Sequence, residues 1–218
     1  RGVARPDGTA RGQDGTARDE DGGAAARVEA DRRSRGGTAD RLPRLDAGPY
    51  RLRGFEARDV PMVVEAGTDP VIPLVSSVAA GGGAPEAGAF VDRQRHHLRD
   101  GHAYSFVVAE ADGDRGVGSI GMWLDEVDQG RATVGYWVVP SARGRGTARH
   151  ALRSLSGWAL RDLGIPRLQL HVEPWNVPSV RTAEGAGYRC EGLLRSWQAV
   201  GGERRDMYVY SLLAADLA

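Results

Sequence analysis

The chain has no lysine, one cysteine and no net charge, and each of these shortages excludes a class of protein. All 29 basic residues are arginine, so the glycine-lysine phosphate loop of the NTPases is absent. Cys190 cannot form an internal disulfide alone, which favours a reducing, cytoplasmic location. Because 29 acidic residues balance the basic ones, we expect no broad basic patch and no nucleic-acid partner.

Long apolar runs are missing as well. A transmembrane helix needs about 18 or more consecutive apolar residues, and the sequence has no such run. Its start also lacks the charged and then apolar pattern of a secretory leader. We therefore predict a soluble cytoplasmic protein without a membrane partner. The sequence leaves open whether it is a monomer or a homodimer.

Large apolar residues are scarce at the amino-terminal end. Within residues 1–47 they are Val3, Val28, Leu42 and Leu45. A segment of this kind buries too little apolar surface to offset the entropy lost on ordering. We therefore predict a disordered, low-complexity tail over 1–47, rich in Arg, Gly, Ala and Asp, followed by one domain over 48–218.

Strand and helix patterns alternate through the rest of the chain. Strands are predicted at 50–55, 104–110, 117–124, 132–139, 168–172, 188–194 and 207–212. Helices are predicted after Asp59, over 85–98, over 147–163 and from Asn176 to about 187. The short turns between the strands from 104 to 139 indicate an antiparallel meander. Together the patterns predict an α/β fold with a mixed sheet.

The turn that joins strand 132–139 to the helix over 147–163 is the most informative segment. It contains Gly144 and Gly146 between arginines. The first N–H groups of a helix lack intrahelical partners, and glycines let a ligand approach the main chain. The turn therefore predicts an anion site for a phosphate-bearing cofactor. A dinucleotide loop is not supported, because Arg149 stands where the third glycine would be. A plain surface turn remains the alternative.

Several spaced motifs turn this segment into a family resemblance. Arg143, Gly146 and Ala148 match the pyrophosphate loop of the GCN5-related N-acetyltransferases (GNAT), Arg/Gln-x-x-Gly-x-Gly/Ala. The other motifs are Gly135-Tyr136-Trp137-Val138, Glu173-Pro174-x-Asn176-x-x-Ser179, Gly187-Tyr188 and Asp206-Met207-x-x-Tyr210. Over almost the whole of 50–217 the chain resembles the RimJ/RimL-like branch of that family. The resemblance implies a GNAT-like, mostly antiparallel central sheet flanked by helices.

The resemblance also implies an activity. Acetyl-CoA would be the co-substrate, and its acetyl group would pass directly, within a ternary complex, to a primary amine. The amine would belong to a protein N-terminus, as in ribosomal proteins, or to a small molecule, and no metal would be needed. The residues implied to bind acetyl-CoA are Trp137, Val138, Val139, Arg143, Gly144, Arg145, Gly146, Thr147, Ala148, Asn176 and Ser179. Val138 and Val139 would offer backbone groups to its pantetheine arm, and Arg149 could add charge beside Arg145.

The catalytic residues are less plainly marked. Many GNAT enzymes carry a tyrosine acid where this chain has Ala183, so Ser179 becomes the candidate donor to the departing thiolate. The usual glutamate bases are absent, since Gly135 and Gln198 stand at those positions. Glu173 is the candidate base. The alternatives are His171, Asp125, Glu126 and a water relay.

A purely structural role would also account for several of these residues. Asn176 and Ser179 are what a plain helix cap needs. Trp137 and its neighbour Tyr136 are equally typical of core or cleft aromatics. His96, His97 and His102 lack the companion ligands of a zinc site, so no metal is expected. Because the usual acid and base are missing, the alternative function is a catalytically silent acyl-CoA-binding sensor that interacts with a partner.

Overall fold

Eight strands form one sheet in this computed structural model, which describes residues 19–34 and 42–217. The strands are β1 (Leu45–Ala47), β2 (Tyr50–Arg53), β3 (Ala103–Glu110), β4 (Gly116–Trp123), β5 (Arg131–Val138), β6 (Arg167–Val172), β7 (Arg189–Val200) and β8 (Glu203–Leu213). Their order across the sheet is β1-β2-β3-β4-β5-β6-β8-β7. Only the β5–β6 pair is parallel among these strands. The predicted mixed, mostly antiparallel sheet is confirmed.

Helices cover both faces of the sheet. Within the described ranges they are α1 (Asp19–Ser34), α2 (Val60–Gly67), α3 (Ile72–Val75), α4 (Ala84–Asp100), α5 (Thr147–Arg161) and α6 (Val177–Gly185). Alternate side chains of β3 show the two layers. Tyr104 packs edge-on against Trp158 of α5 at 4.9 Å between ring centroids, whereas Ser105 lies 3.2 Å from His97 of α4. None of the described helices combines the length and apolar character needed to cross a membrane.

The helix that follows the glycine turn forms because its apolar residues recur at helical spacing. Leu152, Leu155 and Ala159 of α5 are fully buried, while Arg153 and Arg161 are exposed. Just beyond the helix end, Gly164 adopts a left-handed conformation (φ 64°). The predicted helix over 147–163 is therefore confirmed to within two residues at its end.

The predicted disordered tail contains a helix. Ala24 and Val28 of α1 are buried, and Asp31 accepts a hydrogen bond from the Tyr104 hydroxyl at 2.8 Å. Alanine, arginine and glutamate are strong helix formers, which favours a helix here although large apolar residues are scarce. Strand β1 begins at Leu45, three residues before the predicted domain start at residue 48. Residues 1–18 and 35–41 of the predicted tail lie outside the described residues.

The last two strands are longer than predicted. Strand β7 extends to Val200 and β8 begins at Glu203, around a turn at Gly201. Their register shifts twice, between Cys190 and Gly192 and between Leu194 and Gln198. Irregular pairing bends a strand and re-aims its side chains. Strand β8 of this hairpin pairs with β6, and β7 forms the edge of the sheet.

Candidate active site

The sheet opens between β5 and β6. Three residue pairs join these strands, from Arg131↔Arg167 to Thr133↔Gln169. Beyond Thr133, β5 pairs only with β4 among the described strands. The edge of β5 that faces β6 therefore presents backbone N–H and C=O groups towards the gap. An open edge of this kind is a template for a ligand that carries amides.

The loop from β5 to α5 presents a row of backbone donors. Gly144 and Gly146 both adopt left-handed conformations, with φ of 76° and 75°. Within the described part of the chain, no hydrogen bond engages the N–H groups from Gly144 to Arg149, and bonding resumes where His150 N donates to Gly146 O at 3.0 Å. These donors stand at the positive end of a 15-residue helix. Their geometry is that of an anion site.

Two carboxylates fix this loop to the α2–α3 segment. Arg143 Nη2 lies 2.8 Å from Asp69 Oδ2, and Arg143 Nε donates to Val138 O at 3.0 Å. Ser141 N donates to Glu65 Oε1 at 3.0 Å. The Arg143 guanidinium thus ties the loop to Asp69, while its side chain remains 50% exposed beside the row of backbone N–H groups.

Asp69 should make the stability of the protein depend on pH. Burial opposes its charge, but hydrogen bonds from the N–H groups of Ile72 and Val71, together with Arg143, lower its pKa. The carboxylate therefore stabilises the fold above its unfolded pKa of about 3.9, and this contribution is lost as the pH falls towards the lower folded pKa. We expect Asp69→Asn to flatten the pH dependence of the unfolding free energy below about pH 4. Urea unfolding at a series of pH values measures this, and an unchanged slope would contradict it.

The backbone groups of Val138 and Val139 differ in availability. Val139 N donates to Val117 O, and Val139 O accepts from Ala142 N, both at 3.0 Å. Both backbone groups of Val139, predicted to be offered to a ligand, thus have hydrogen-bond partners within the protein. Backbone groups alternate in direction along a strand, so those of Val138 face the gap. The Val138 carbonyl accepts from Arg143, which leaves its N–H directed at the opening.

The turn after β6 carries the predicted catalytic side chains at the open end of the gap. Glu173 O accepts from Asn176 N at 2.9 Å, and Asn176 Oδ1 caps α6 by accepting from Ser179 N at 3.2 Å. Asn176 is thus a helix N-cap, and its Nδ2 donors lie outside this bond. Glu173 is buried, and its Oε2 accepts from Trp175 Nε1 at 2.6 Å. Glu173, Asn176 and Ser179 therefore belong to one short segment.

Ser179 has a neighbour that the sequence patterns did not reveal. The hydroxyl of Tyr136, on β5, lies 2.8 Å from Ser179 Oγ and 3.4 Å from Ser179 O. The two residues are 43 positions apart, so no local pattern links them. Ala183, where many family members carry a tyrosine, is fully buried in α6. The phenol beside Ser179 comes from the strand and not from the helix.

Trp123 fills the space above Gly135, the position of a basic glutamate in many family members. A Cβ built on Gly135 would lie 2.9 Å from Trp123 Cζ3, so a longer side chain there would displace the indole. Trp123 is itself 41% exposed. On the same face of β5, the Trp137 ring packs against Phe90 of α4 at 6.3 Å between centroids. This face of the sheet is aromatic where those family members have a carboxylate.

Two of the alternative bases are engaged with other side chains. Glu126 pairs with Arg131 at 2.5 Å, and that hydrogen bond is the main cause of its lowered pKa. The His171 ring packs against Trp197 of β7 at 5.6 Å between centroids. Burial lowers the pKa of His171, so the imidazole is neutral at pH 7. Glu173 and His171 are thus the candidate proton acceptors nearest to the end of β6.

Of the three histidines weighed as metal ligands, His96 and His97 lie on α4 and His102 follows it. In the described ranges, no group of three or more His, Cys, Asp or Glu residues is placed to hold a metal ion. His97 Nδ1 instead contacts Ser105 Oγ, and burial lowers the pKa of His97.

Comparisons with known proteins match the same segments and the same fold. The Acetyltransferase (GNAT) domain model matches residues 50–189. A protein from Bacillus licheniformis named "Uncharacterized N-acetyltransferase p20" is 26% identical over 167 residues, which are 77% of this chain and 94% of the relative. A GNAT-family acetyltransferase structure from Bacillus anthracis has a TM-score of 0.68 at 23% identity and covers 79% of this chain and 99% of its own. RimJ from Mycobacterium smegmatis, in complex with CoA-disulfide, has a TM-score of 0.67 at 23% identity and covers 82% and 89%.

Proposed function

Because the chain belongs to the GNAT acetyltransferase family, whose domain model covers residues 50–189, we propose that it is an acetyl-CoA-dependent N-acetyltransferase of the RimJ/RimL-like branch. This proposal rests on one observation: the open edge of β5 leads directly into the anion site at the start of α5. The edge of β5 suits the amides of a pantetheine arm, and the N–H groups from Gly144 to Arg149 suit its pyrophosphate. Coenzyme A carries these two chemical groups in the same order.

Acetyl-CoA fits the residues at the opening. The main chain of Trp137 and Val138 would lie along the pantetheine arm, since β5 is unpaired there on the β6 side among the described strands. The N–H groups of Gly144, Arg145, Gly146, Thr147 and Ala148 would hold the phosphates. Arg145 and Arg149 are exposed beside them and add positive charge. Asn176 Nδ2 would reach the arm from the opposite side of the gap.

The acetyl group would pass directly to the amine in a ternary complex. The amine must lose a proton, and the sulfur of the thioester must leave with an electron pair. Ser179 Oγ would donate a hydrogen bond to that sulfur. Glu173 would accept the proton of the amine, directly or through a water molecule. We propose as acceptor a protein N-terminal amine, as in ribosomal proteins, or a small-molecule amine.

The variant Glu173→Gln tests whether Glu173 acts as the base or has only a structural role. If Glu173 accepts the proton, kcat should fall by roughly a hundredfold or more, while the KM for acetyl-CoA stays close to the wild-type value. The matched control is Trp175→Phe, which removes the N–H that donates to Glu173 but keeps the carboxylate. Steady-state kinetics of both variants decide the matter. Equal losses of kcat would show that Glu173 serves only to hold Trp175.

A thiol-release assay tests the proposed function as a whole. Acetyl-CoA is offered with a panel of amines that includes peptides with free N-termini and small-molecule amines, and acetylated product is identified by mass spectrometry. We expect release of thiol in step with acetylation of at least one acceptor. Tight acetyl-CoA binding without turnover on any acceptor would favour the silent acyl-CoA sensor. The physical reason would be the Trp123 indole, which fills the space above Gly135 where a glutamate base would stand.

A further inference from the structure

A second hydroxyl stands behind Ser179. Tyr136 Oη and Ser179 Oγ are 2.8 Å apart, a normal distance for a hydrogen bond between hydroxyls. Tyr136 comes from β5 at the edge of the gap, whereas Ser179 lies in the first turn of α6. The pair therefore bridges the two elements that border the opening, and it does so at the residue proposed to face the sulfur of the thioester.

The direction of this hydrogen bond decides what Ser179 can do. A serine hydroxyl has one hydrogen, so it cannot donate to Tyr136 and to a ligand at the same time. A phenol is a stronger acid than an aliphatic alcohol, and it is the better donor of the two. Burial raises the pKa of Tyr136, although its hydrogen-bond contacts with Ser179 and Thr182 oppose that rise. The phenol therefore keeps its proton through the neutral range.

We propose that Tyr136 is a positioning residue that donates its hydrogen bond to Ser179 Oγ and thereby directs the Ser179 hydrogen at the departing sulfur. This inference rests on the proposed function. Two neighbouring groups bear on this orientation. Ser179 O, at 3.4 Å, is a competing acceptor for the phenol hydrogen, and the shorter distance of 2.8 Å favours Ser179 Oγ. Thr182 Oγ1 uses its own hydrogen to donate to Pro178 O at 2.9 Å.

The role requires no net proton transfer through tyrosine. The amine nitrogen forms a bond with the acetyl carbon, and as the carbon–sulfur bond breaks, the sulfur takes the electron pair and becomes a thiolate that accepts a hydrogen bond from Ser179. The amine gives its proton to the base or to water, and the thiolate gains a proton from solvent after it leaves. Donation from Tyr136 polarises the Ser179 hydroxyl, because chains of hydrogen bonds strengthen one another. Its benefit is confined to the stage at which charge develops on sulfur.

Tyr136→Phe tests the proposal in the full chain. We expect kcat to fall about tenfold, while the KM for acetyl-CoA changes less than about twofold, since the hydrogen bond strengthens only as charge develops. Ser179→Ala should lower kcat at least as much. In the Ser179→Ala background, Tyr136→Phe should cause no further loss, because the phenol then has no hydroxyl to direct.

The chain supplies a matched control in Tyr188. Its hydroxyl lies 2.8 Å from Ser156 Oγ in a buried pair of the same chemistry, between the helix α5 and the segment before β7. Tyr188→Phe should cost a similar amount of stability and leave kcat unchanged. Thermal unfolding and acetyl-CoA titration of each variant separate a folding defect from a catalytic one.

Three results would overturn the proposal. These are an unchanged kcat in Tyr136→Phe, an equal further loss when this change is added to Ser179→Ala, and a fall of kcat in Tyr188→Phe as large as that in Tyr136→Phe. If Tyr136→Phe does not fold, Ser179→Ala with an unchanged kcat overturns it instead. Failure of the proposed function would look different, since the wild-type protein itself would then release no thiol with any amine.

Discussion

We expect Gly146→Trp to weaken acetyl-CoA binding by at least about a hundredfold, which corresponds to the loss of two charge-assisted hydrogen bonds. Gly146 stands at the N-cap of α5 in a left-handed conformation, in the middle of the row of free N–H groups. An indole at this position would occupy the space that the pyrophosphate needs. Isothermal titration with acetyl-CoA measures the effect.

Gly113→Trp is the matched control for that experiment. Gly113 lies in the turn between β3 and β4 with the same φ of 75°, and a Cβ built on it meets nothing within 4 Å. A Cβ on Gly146 makes only ordinary contacts, the nearest at 3.6 Å with His150. Both substitutions therefore carry the same backbone strain and little steric cost. Equal affinities of the two variants for acetyl-CoA would remove the basis for placing the phosphates at this loop.

Arg53→Met should destabilise the fold by about 3–5 kcal/mol. Arg53 is 1% exposed, and its guanidinium forms two hydrogen bonds with the buried Asp59, at 2.8 and 2.9 Å, and further bonds with Asp114. Without Arg53, the Asp59 carboxylate would remain buried and lose its counter-ion. Asp59 stands at the N-cap position of α2, but its side chain makes no cap hydrogen bond to that helix and binds Arg53 instead. Urea unfolding of the variant gives the free energy.

An exposed ion pair provides the comparison. Arg205 pairs with Glu203 in the last hairpin, with side chains 47% and 69% exposed. Arg205→Met should change the unfolding free energy by no more than about 1 kcal/mol. Adding Asp59→Leu to Arg53→Met should recover part of the loss, because the uncompensated charge is then gone. A loss in Arg53→Met no larger than in Arg205→Met would contradict our account of the buried pair.

Much of the fold could be predicted from local sequence patterns. The spacing of Leu152, Leu155 and Ala159 identified α5, and the turn chemistry at Gly113 and Gly130 identified the meander. The glycine turn with free N–H groups was predictable for the same reason, since its glycines and the following helix start are adjacent in the sequence. A structural feature that depends on residues close together in the sequence can be predicted from that stretch alone.

Features that depend on distant partners could not be read in this way. The Tyr136–Ser179 contact and the Asp69–Arg143 ion pair join residues from separate elements, and no sequence periodicity predicts either contact. The indole over Gly135 is a further case, because only the register of β4 against β5 brings Trp123 there. The partners of the Val139 backbone groups are likewise a neighbouring strand and the turn that follows.

The helix α1 was not apparent from composition. Composition alone predicts disorder over 1–47, whereas residues 19–34 form a helix in which Ala24 and Val28 are buried. The average composition of a long segment does not reveal a short helix within it. The contacts of such a helix depend on the rest of the fold.

A crystal structure of the wild-type protein with acetyl-CoA tests the central claim most directly. Our account predicts the pyrophosphate on the N–H groups from Gly144 to Ala148 and the pantetheine arm in the gap between β5 and β6. It also predicts the thioester sulfur within hydrogen-bonding distance of Ser179 Oγ. A pyrophosphate bound elsewhere, or a sulfur that lies away from Ser179, would contradict it.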